Sequence, residues 1–142
     1  MPATFAEEGL RFSYPDNWEL LREENPSGWT VTLQSPATAF LMVTFDRDMP
    51  ETDLMIETAL DAMKEEYASL EFEPVAESIA GQPAVGHDIR FFSFDLTNTC
   101  GTRSFYTETG TVLLFWQTSD LEIETMELVM HAVRASMKIE EI

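Results

Sequence analysis

Basic residues are scarce in this sequence, and so are cysteines. There are 8 Lys and Arg against 26 Asp and Glu, which gives a formal net charge of −18 over 142 residues. Because proteins bind phosphate groups by neutralising them with cations, this deficit argues against duplex nucleic acid and anionic membrane as partners. The single cysteine, Cys100, cannot form an internal disulfide, so the sequence predicts a protein of the reducing cytoplasm.

Long hydrophobic runs and processing signals are also missing. The longest apolar runs cover residues 40–43 and 112–116, far short of the ~20 residues that a membrane helix needs. Residues 1–10 lack the basic and apolar regions of a secretion signal. We therefore expect neither membrane insertion nor export. A glycine-rich phosphate-binding loop and a Gly-x-Ser-x-Gly nucleophile motif are absent as well.

What the chain does contain is a series of short alternating segments separated by turn residues. Residues 10–14 and 18–22 flank the turn at 15–17 and predict a first hairpin. Residues 29–34 alternate again, and residues 40–45 form the nearly continuous apolar run typical of a central strand. Further β-rich stretches occupy 72–79, 84–96, 100–108 and 111–118, with hairpin turns expected at 97–98 and 109–110. The last three predict a meander.

Two segments change to the helical period. Between residues 51 and 70 an apolar stripe recurs three or four positions apart, and a second stripe follows the capping-box pattern formed by Ser119 and Glu122. The stripes comprise Ile56, Leu60, Met63, Tyr67 and Leu70, and then Ile123, Met126, Met130, Val133 and Met137. Residues 137–139 predict a short final extension. Because hairpins connect the strands, we expect one α+β domain over residues 1–142, an antiparallel sheet flanked by helices in an α/β/α sandwich.

Three motifs resemble those of a known superfamily. Residues 12–18 (FSYPDNW) resemble the opening hairpin of PsbP-like and DcrB-like domains, residues 79–84 (IAGQPA) their Gly-x-Pro-Ala turn, and residues 133–139 (VRASMKI) their closing segment. The resemblance implies the Mog/PsbP-like fold. It also implies a non-enzymatic role, since members include photosystem assembly subunits, a Ran-binding protein, lipoproteins and chaperones of secreted effectors. No Ran-binding or metal-binding set of that superfamily matches this chain residue by residue.

The candidate catalytic groups do not form a set. With the predicted hairpin register, Cys100 lies opposite Asp95, and His87 lies near Glu108 at the far end, too distant for a nucleophile–base pair. His131 stands alone on the second helix. His87, Asp88 and Glu108 offer too few donors for a metal site. We therefore predict no catalytic residues, no metal and no cofactor.

The meander carries the candidate binding site. Its predicted register places Arg103 opposite Trp116 and Phe92, and so gathers basic and aromatic side chains on one face of the sheet. That face carries Arg90, Phe92, Phe94, Arg103, Phe105, Leu114 and Trp116, and the other carries Ile89, Phe91, Tyr106, Leu113 and Phe115. One interpretation is that the arginines stack on aromatics at the margin of a helix-covered face and pair with helix acids. The other is a groove for an acidic or apolar ligand, formed by Arg90, Phe92, Arg103 and Trp116.

The acidic surface of the first helix also has two interpretations. One is a solvated surface that keeps the protein soluble or adapts it to salt. The other is a docking surface for a basic partner.

Together these patterns favour a cytoplasmic, non-enzymatic protein-binding or assembly module, a chaperone or adaptor. We expect a protein partner, and a homodimer formed through sheet edges. The alternative is a small-ligand-binding domain or a hydrolase that uses the meander face, with His87 and nearby acids.

Overall fold

A computed structural model describes residues 2–93 and 95–140, and these residues form two helices and ten strands. The strands before the first helix are β1 (Ala3–Glu7), β2 (Leu10–Tyr14), β3 (Glu19–Asn25), β4 (Gly28–Gln34) and β5 (Phe40–Asp46). Helix α1 (Thr52–Glu66) follows, then β6 (Leu70–Ile79), β7 (Gln82–Ser93), β8 (Leu96–Tyr106) and β9 (Thr111–Ser119), and finally α2 (Ile123–Ser136) and β10 (Lys138–Ile139). The predicted α+β class is confirmed.

The strands form two antiparallel sheets. Seven of them are ordered β3-β4-β5-β9-β8-β7-β6, and a small sheet is ordered β1-β2-β10. The predicted first hairpin is therefore wrong: β2 pairs with β1 and β10, whereas β3 pairs with β4. The turn after Tyr14, closed by a hydrogen bond from Trp18 N to the Pro15 carbonyl (3.1 Å), carries the chain from one sheet to the other. Alternation identified these strands but could not name their partners.

Each helix buries its predicted stripe on one face of the large sheet. Ile56, Leu60 and Met63 of α1 are buried, and α1 packs on β7, β8 and β9. The helix ends at Glu66, one turn earlier than predicted, although Tyr67 and Leu70 still pack against the same apolar cluster. On the other face, α2 and the small sheet close the main core, which contains Met130 and Val133.

The strand register of the meander differs from the predicted register by an even number of residues. The β7–β8 hairpin closes between Ser93 and Leu96, with Asp95 at a φ of 60°, rather than at Thr97-Asn98. Arg103 therefore pairs with Gly86 and Leu114 instead of Phe92 and Trp116. Because side chains alternate with a period of two, an even displacement leaves each of them on its predicted face. Phe94 lies outside the described residues.

The second helix starts without the predicted capping box. Glu122 is the N-cap residue and makes no side-chain capping hydrogen bond, and the Ser119 hydroxyl contacts its carboxylate only at 3.5 Å. Among the residues that the structure describes, neither α1 nor α2 has the length and hydropathy of a membrane-spanning helix.

The end of α2 completes the open edge of β2. Strand β10 pairs only with Arg11 and Leu10 of β2. Two positions beyond the Lys138–Arg11 pair, the Ser136 hydroxyl accepts a hydrogen bond from Ser13 N (2.9 Å) and donates to the Val133 carbonyl (2.7 Å). A side chain thus satisfies a backbone group that no strand reaches.

Replacing this hydroxyl tests its contribution. Ser136→Ala leaves Ser13 N without its partner, and we expect the free energy of unfolding to fall by about 1–2 kcal/mol. Urea denaturation measures this as a lower midpoint with an unchanged slope. The exposed Ser69→Ala is the matched control, and equal midpoints for the two variants would contradict the assignment.

A second prediction concerns Glu8, which links the two sheets. Its carboxylate accepts hydrogen bonds from Trp29 Nε1 (3.2 Å) and Arg47 Nε (2.9 Å). The Arg47 hydrogen bond lowers the pKa of Glu8, against the opposing effect of burial. A carboxyl group whose pKa is lowered by folding stabilises the fold at pH values above its ordinary pKa of 4.5. This contribution is lost as the pH falls through the lowered pKa of the folded state.

Glu8→Gln should therefore lower the thermal midpoint at pH 7, and the difference from the wild type should close in acid. Circular dichroism melts across pH 3–7 measure it, with the exposed Glu65→Gln as control. A difference that persists unchanged at the acid end would refute the ionic role of Glu8.

Candidate functional site

A groove of about 590 Å³ runs between α2 and the strands beside it. Ile123, Glu127, His131 and Arg134 line it from α2, and these positions follow one side of the helix next to its apolar stripe. The opposite wall comes from β6 and β7, and the floor from β8 and β9. These residues include Glu73, Asp88, Arg90, Thr99, Arg103, Trp116 and Thr118. The groove exists because α2 does not cover the sheet as far as β6.

Arg103 lies in this floor with its guanidinium fully engaged. It is 4% exposed, and its Nε donates to Glu77 (2.5 Å) while Nη2 donates to Asp88 (3.0 Å). Nη1 donates to the carbonyls of Thr102 (2.8 Å) and His87 (3.4 Å). A buried guanidinium needs such a complete set because desolvation of an unpaired charge is costly. Arg103 is therefore held by the protein's own acceptors.

Trp116 lies flat on Gly101 beneath two arginines. Trp116 and Gly101 are direct cross-strand partners, and a Cβ on Gly101 would come within 2.1 Å of the indole. The guanidinium carbons of Arg103 and Arg134 lie 5.0 Å and 4.3 Å from the Trp116 ring centre, within range of a cation–π interaction. The indole, 7% exposed, forms a rigid floor for the groove.

Arg134 differs from Arg103 in having no complete set of acceptors. Its Nε is buried without a hydrogen-bond partner among the described residues, and Glu77, which it approaches at 3.5 Å, is already bonded to Arg103. Burial lowers the pKa of Arg134 and Arg103 adds to this, while Glu77 and Asp88 act in the opposite direction. Arg134 is thus a cation with spare donors at the wall of a groove.

The four predicted binding residues separate into two groups. Arg90, Arg103 and Trp116 line the groove. Phe92, 64% exposed, lies beyond it, in a shallower depression that shares Arg90 with the groove. Arg90 is largely exposed and reaches Asp120 only at 3.7 Å. The predicted stacking of an arginine on Trp116 is present, but the acids that pair with Arg103 come from strands and not from a helix.

Sequence reasoning missed Arg134, Glu77 and Asp88 as members of this cluster. From the sequence, Asp88 is only a candidate metal donor, and Glu77 lies on the edge strand β6. Arg134 directly follows Val133, a residue of the apolar stripe, within the closing segment 133–139. Its position next to a buried residue was the signal that could have identified it. With Arg90 and Arg103, it brings three of the chain's eight Lys and Arg residues to one groove.

Of the three nucleophile and base candidates, His131 lines the groove, whereas the reactive atoms of Cys100 and His87 lie on the other face of the sheet. Cys100 pairs with Ile89 and not with Asp95, and burial raises the pKa of its thiol to about 12. The His87 side chain faces α1, where its Nε2 lies 3.8 Å from Glu57, while Asp88, its neighbour, faces the groove. Adjacent strand residues point to opposite faces, so His87 and Asp88 cannot converge on one metal. Within the described residues, no group of three or more His, Cys, Asp or Glu could hold a metal ion.

The contrast between Arg103 and Arg90 gives a stability test. Arg103→Leu leaves the Glu77 and Asp88 carboxylates without their cation, and we expect a loss of about 2–4 kcal/mol, below the full cost of breaking a buried pair because both acids are partly exposed. Arg90→Leu removes an exposed arginine from the same face and should change the free energy of unfolding by less than ~0.5 kcal/mol. Similar decreases in the free energy of unfolding of both variants, measured by denaturant titration, would refute the distinction between a structural Arg103 and a dispensable Arg90.

No protein-family profile matches the sequence, and no curated protein does. Solved structures do match it over almost the whole chain. The cyanobacterial PsbP, CyanoP, of Synechocystis sp. PCC 6803 has a TM-score of 0.65 at 15% identity, covering 97% of this chain and 92% of that one.

Two further structures extend the likeness. LpqN of Mycobacterium tuberculosis, a protein involved in cell envelope biogenesis, has a TM-score of 0.59 at 14% identity over 99% of this chain and 90% of that one. Protein PA94 of Pseudomonas aeruginosa, of unknown function, has a TM-score of 0.58 at 13% identity over 99% of both chains. Identities this low establish the fold and leave activity open. The fold that the three sequence motifs predicted is confirmed: the chain has the PsbP-like fold.

Proposed function

We propose that the protein is a non-enzymatic binding module that holds a segment of a partner protein in the groove between α2 and β6–β9. The observation that carries this proposal is Arg134, a largely buried cation with unused donors in a molecule of charge −18. Cations are rare in this chain and the other buried arginine, Arg103, has acceptors for each of its nitrogens. An arginine that lacks such acceptors and lies at the wall of a groove is suited to bind an acceptor group of an incoming ligand.

The chemistry of the groove favours a carboxylate next to an apolar side chain. A carboxylate accepts two parallel hydrogen bonds from a guanidinium, which gives both affinity and orientation. Arg134 and the exposed Arg90 provide donors for it. Leu128, 73% exposed at the groove's rim, and the half-buried Ile123 provide apolar surface.

The dimensions favour an extended segment of chain. From Ile123 to Arg134 the wall formed by α2 runs about 16 Å at ~1.5 Å per residue. An extended peptide of roughly five residues has the same length. Such a site supports a chaperone or adaptor role, and we place that role in the cytoplasm because a free, buried Cys100 suits a reducing compartment.

A small carboxylate ligand is the second candidate. The volume of the groove, about 590 Å³, lies within the ~300–1,000 Å³ typical of small-molecule sites. Hydrolysis through Cys100 or His87 is disfavoured because neither faces the groove with its reactive atom: the thiol donates to Gln117 (3.6 Å), and the imidazole faces α1. Of the three candidates, only His131 lines the groove.

Selection from a random peptide library on the immobilised protein tests the proposal. We expect enrichment of peptides with Asp or Glu beside a large apolar residue. Arg134→Gln should weaken a selected peptide at least ~10-fold, which corresponds to ~1.4 kcal/mol. Arg11→Gln is the matched control, because Arg11 lies on β2 and pairs with Glu140 (2.7 Å).

Thermal melts first establish that both variants fold. Equal peptide binding by the folded Arg134→Gln variant would refute the groove as the site. Failure to select any peptide, together with binding of a small aromatic carboxylate that Arg134→Gln abolishes, would favour the small-ligand function instead.

A further inference from the structure

His131 lines the groove beside α2 but has no part in the function proposed above. It lies three positions before Arg134 and four after Glu127, so helical spacing places these side chains on one side of α2. Arg134 and Glu127 line the groove as well. The His131 side chain is exposed, and no ion pair between described residues includes it. Its ring is therefore placed to meet a ligand that Arg134 binds.

The groove has no excess of positive charge while His131 is neutral. Its lining contains three arginines and three acids. Beside the lining, Glu77 accepts a hydrogen bond from Arg103 (2.5 Å), and Glu124 lies two helical turns before His131 on the same side of α2. The charged groups around His131 are thus Glu124, Glu127 and Arg134 of α2, Glu73 and Glu77 of β6, Asp88 and Arg90 of β7, and Arg103 of β8.

Strand β9 adds no charge to this set, because it lines the groove with Trp116 and Thr118. The acids around His131 therefore outnumber the arginines. A carboxylate that binds Arg134 gains hydrogen bonds from its guanidinium but enters surroundings that are negative overall. One further cation in the groove would favour an acidic ligand.

Protonation of His131 supplies that cation. Imidazole is the only side chain whose ordinary pKa puts its change of charge between pH 5 and 8. Carboxylates stay ionised and guanidiniums stay charged over the same range. The chain has two histidines, and His87 faces α1 on the other side of the sheet. His131 is therefore the side chain that changes the charge of the groove near neutral pH.

We propose that His131 is a further binding residue of the groove, and that its protonation strengthens the binding of an acidic segment. This role rests on the proposed function, because it requires a carboxylate bound beside Arg134. Side chains three positions apart on a helix are neighbours, with Cβ atoms about 5–6 Å apart. A protonated imidazole donates from both ring nitrogens, so it provides donors next to those of Arg134.

The direction of the pH dependence follows from linkage. A bound carboxylate favours the charged form of a nearby imidazole, so the complex takes up a proton that the free protein lacks at neutral pH. Affinity must then rise as the pH falls from 7.5 to 5.5. The groove holds an acidic partner more tightly in mildly acidic solution and releases it more readily above neutral pH.

Isothermal titration calorimetry at pH 5.5 and 7.5 tests this role. The probe is a selected acidic peptide without histidine and with blocked termini, so that its own charge stays nearly constant between the two pH values. We expect the wild type to bind it ~3–5-fold more tightly at pH 5.5, the effect of one exposed ion pair.

Two replacements of His131 should give opposite affinities and no pH dependence. His131→Gln is neutral at both pH values and should bind the peptide with the weaker affinity throughout. His131→Lys is charged at both and should bind with the stronger affinity throughout. Thr125→Lys is the matched control, because it adds the same charge at an exposed position on the opposite side of α2. It should keep the pH dependence of the wild type.

Thermal melts at both pH values establish that the variants fold. Equal wild-type affinity at the two pH values overturns the role of His131, and so does a pH dependence that persists in His131→Gln. Either result leaves the groove as the binding site provided that Arg134→Gln still weakens the peptide. Equal binding by folded Arg134→Gln at both pH values instead refutes the proposed function, and this role with it.

Discussion

The large sheet is much wider than any single element available to cover it. Seven strands ~4.8 Å apart extend about 30 Å, whereas a helix covers only ~10 Å. The chain has one long helix for each face and a small sheet to assist one of them. Each face is therefore covered in part: α1 covers β7 to β9, and α2 with the small sheet covers the opposite side from β3 to β9. The uncovered areas lie at opposite ends of the sheet and on opposite faces.

Charge distinguishes these two areas. Beside α2 the sheet carries Arg103, which is buried because Glu77 and Asp88 accept its hydrogen bonds, and Arg134, which shares Glu77 and keeps donors unused. Beside α1 the uncovered strands carry Thr, Met and aromatic side chains, with Glu19 and Glu23 of β3 on the same side at the edge of the sheet. The two uncovered areas thus differ in charge, while the acids of α1, such as Asp61 and Glu65, remain solvated. Whether that acidic surface also docks a basic partner stays a prediction.

Much of the fold was predictable because periodicity is local. The stripe through Leu60 and Met130 identified both buried helix faces, and the two faces of the meander survived a wrong register because the displacement was even. The predictions failed where strands pair with segments that are distant in the sequence. Alternation in residues 10–14 and 18–22 identifies strands, but only packing decides that β2 joins β10 while β3 joins β4. The candidate site was predicted in part for the same reason: Arg103 and Trp116 lie on neighbouring strands, whereas Arg134 reaches the indole only through the docking of α2.

One NMR experiment gives the sharpest test of the groove beside α2 as a contact surface for an acidic segment. The protein is labelled at its methionine methyls and tryptophan indoles, and its spectrum is recorded during titration with a selected acidic peptide. The Trp116 indole should shift as the peptide is added, while Met42 and the buried Trp18 and Trp29 stay unchanged. A Trp116 indole that does not shift, or that shifts no more than those of Trp18 and Trp29, would contradict this assignment.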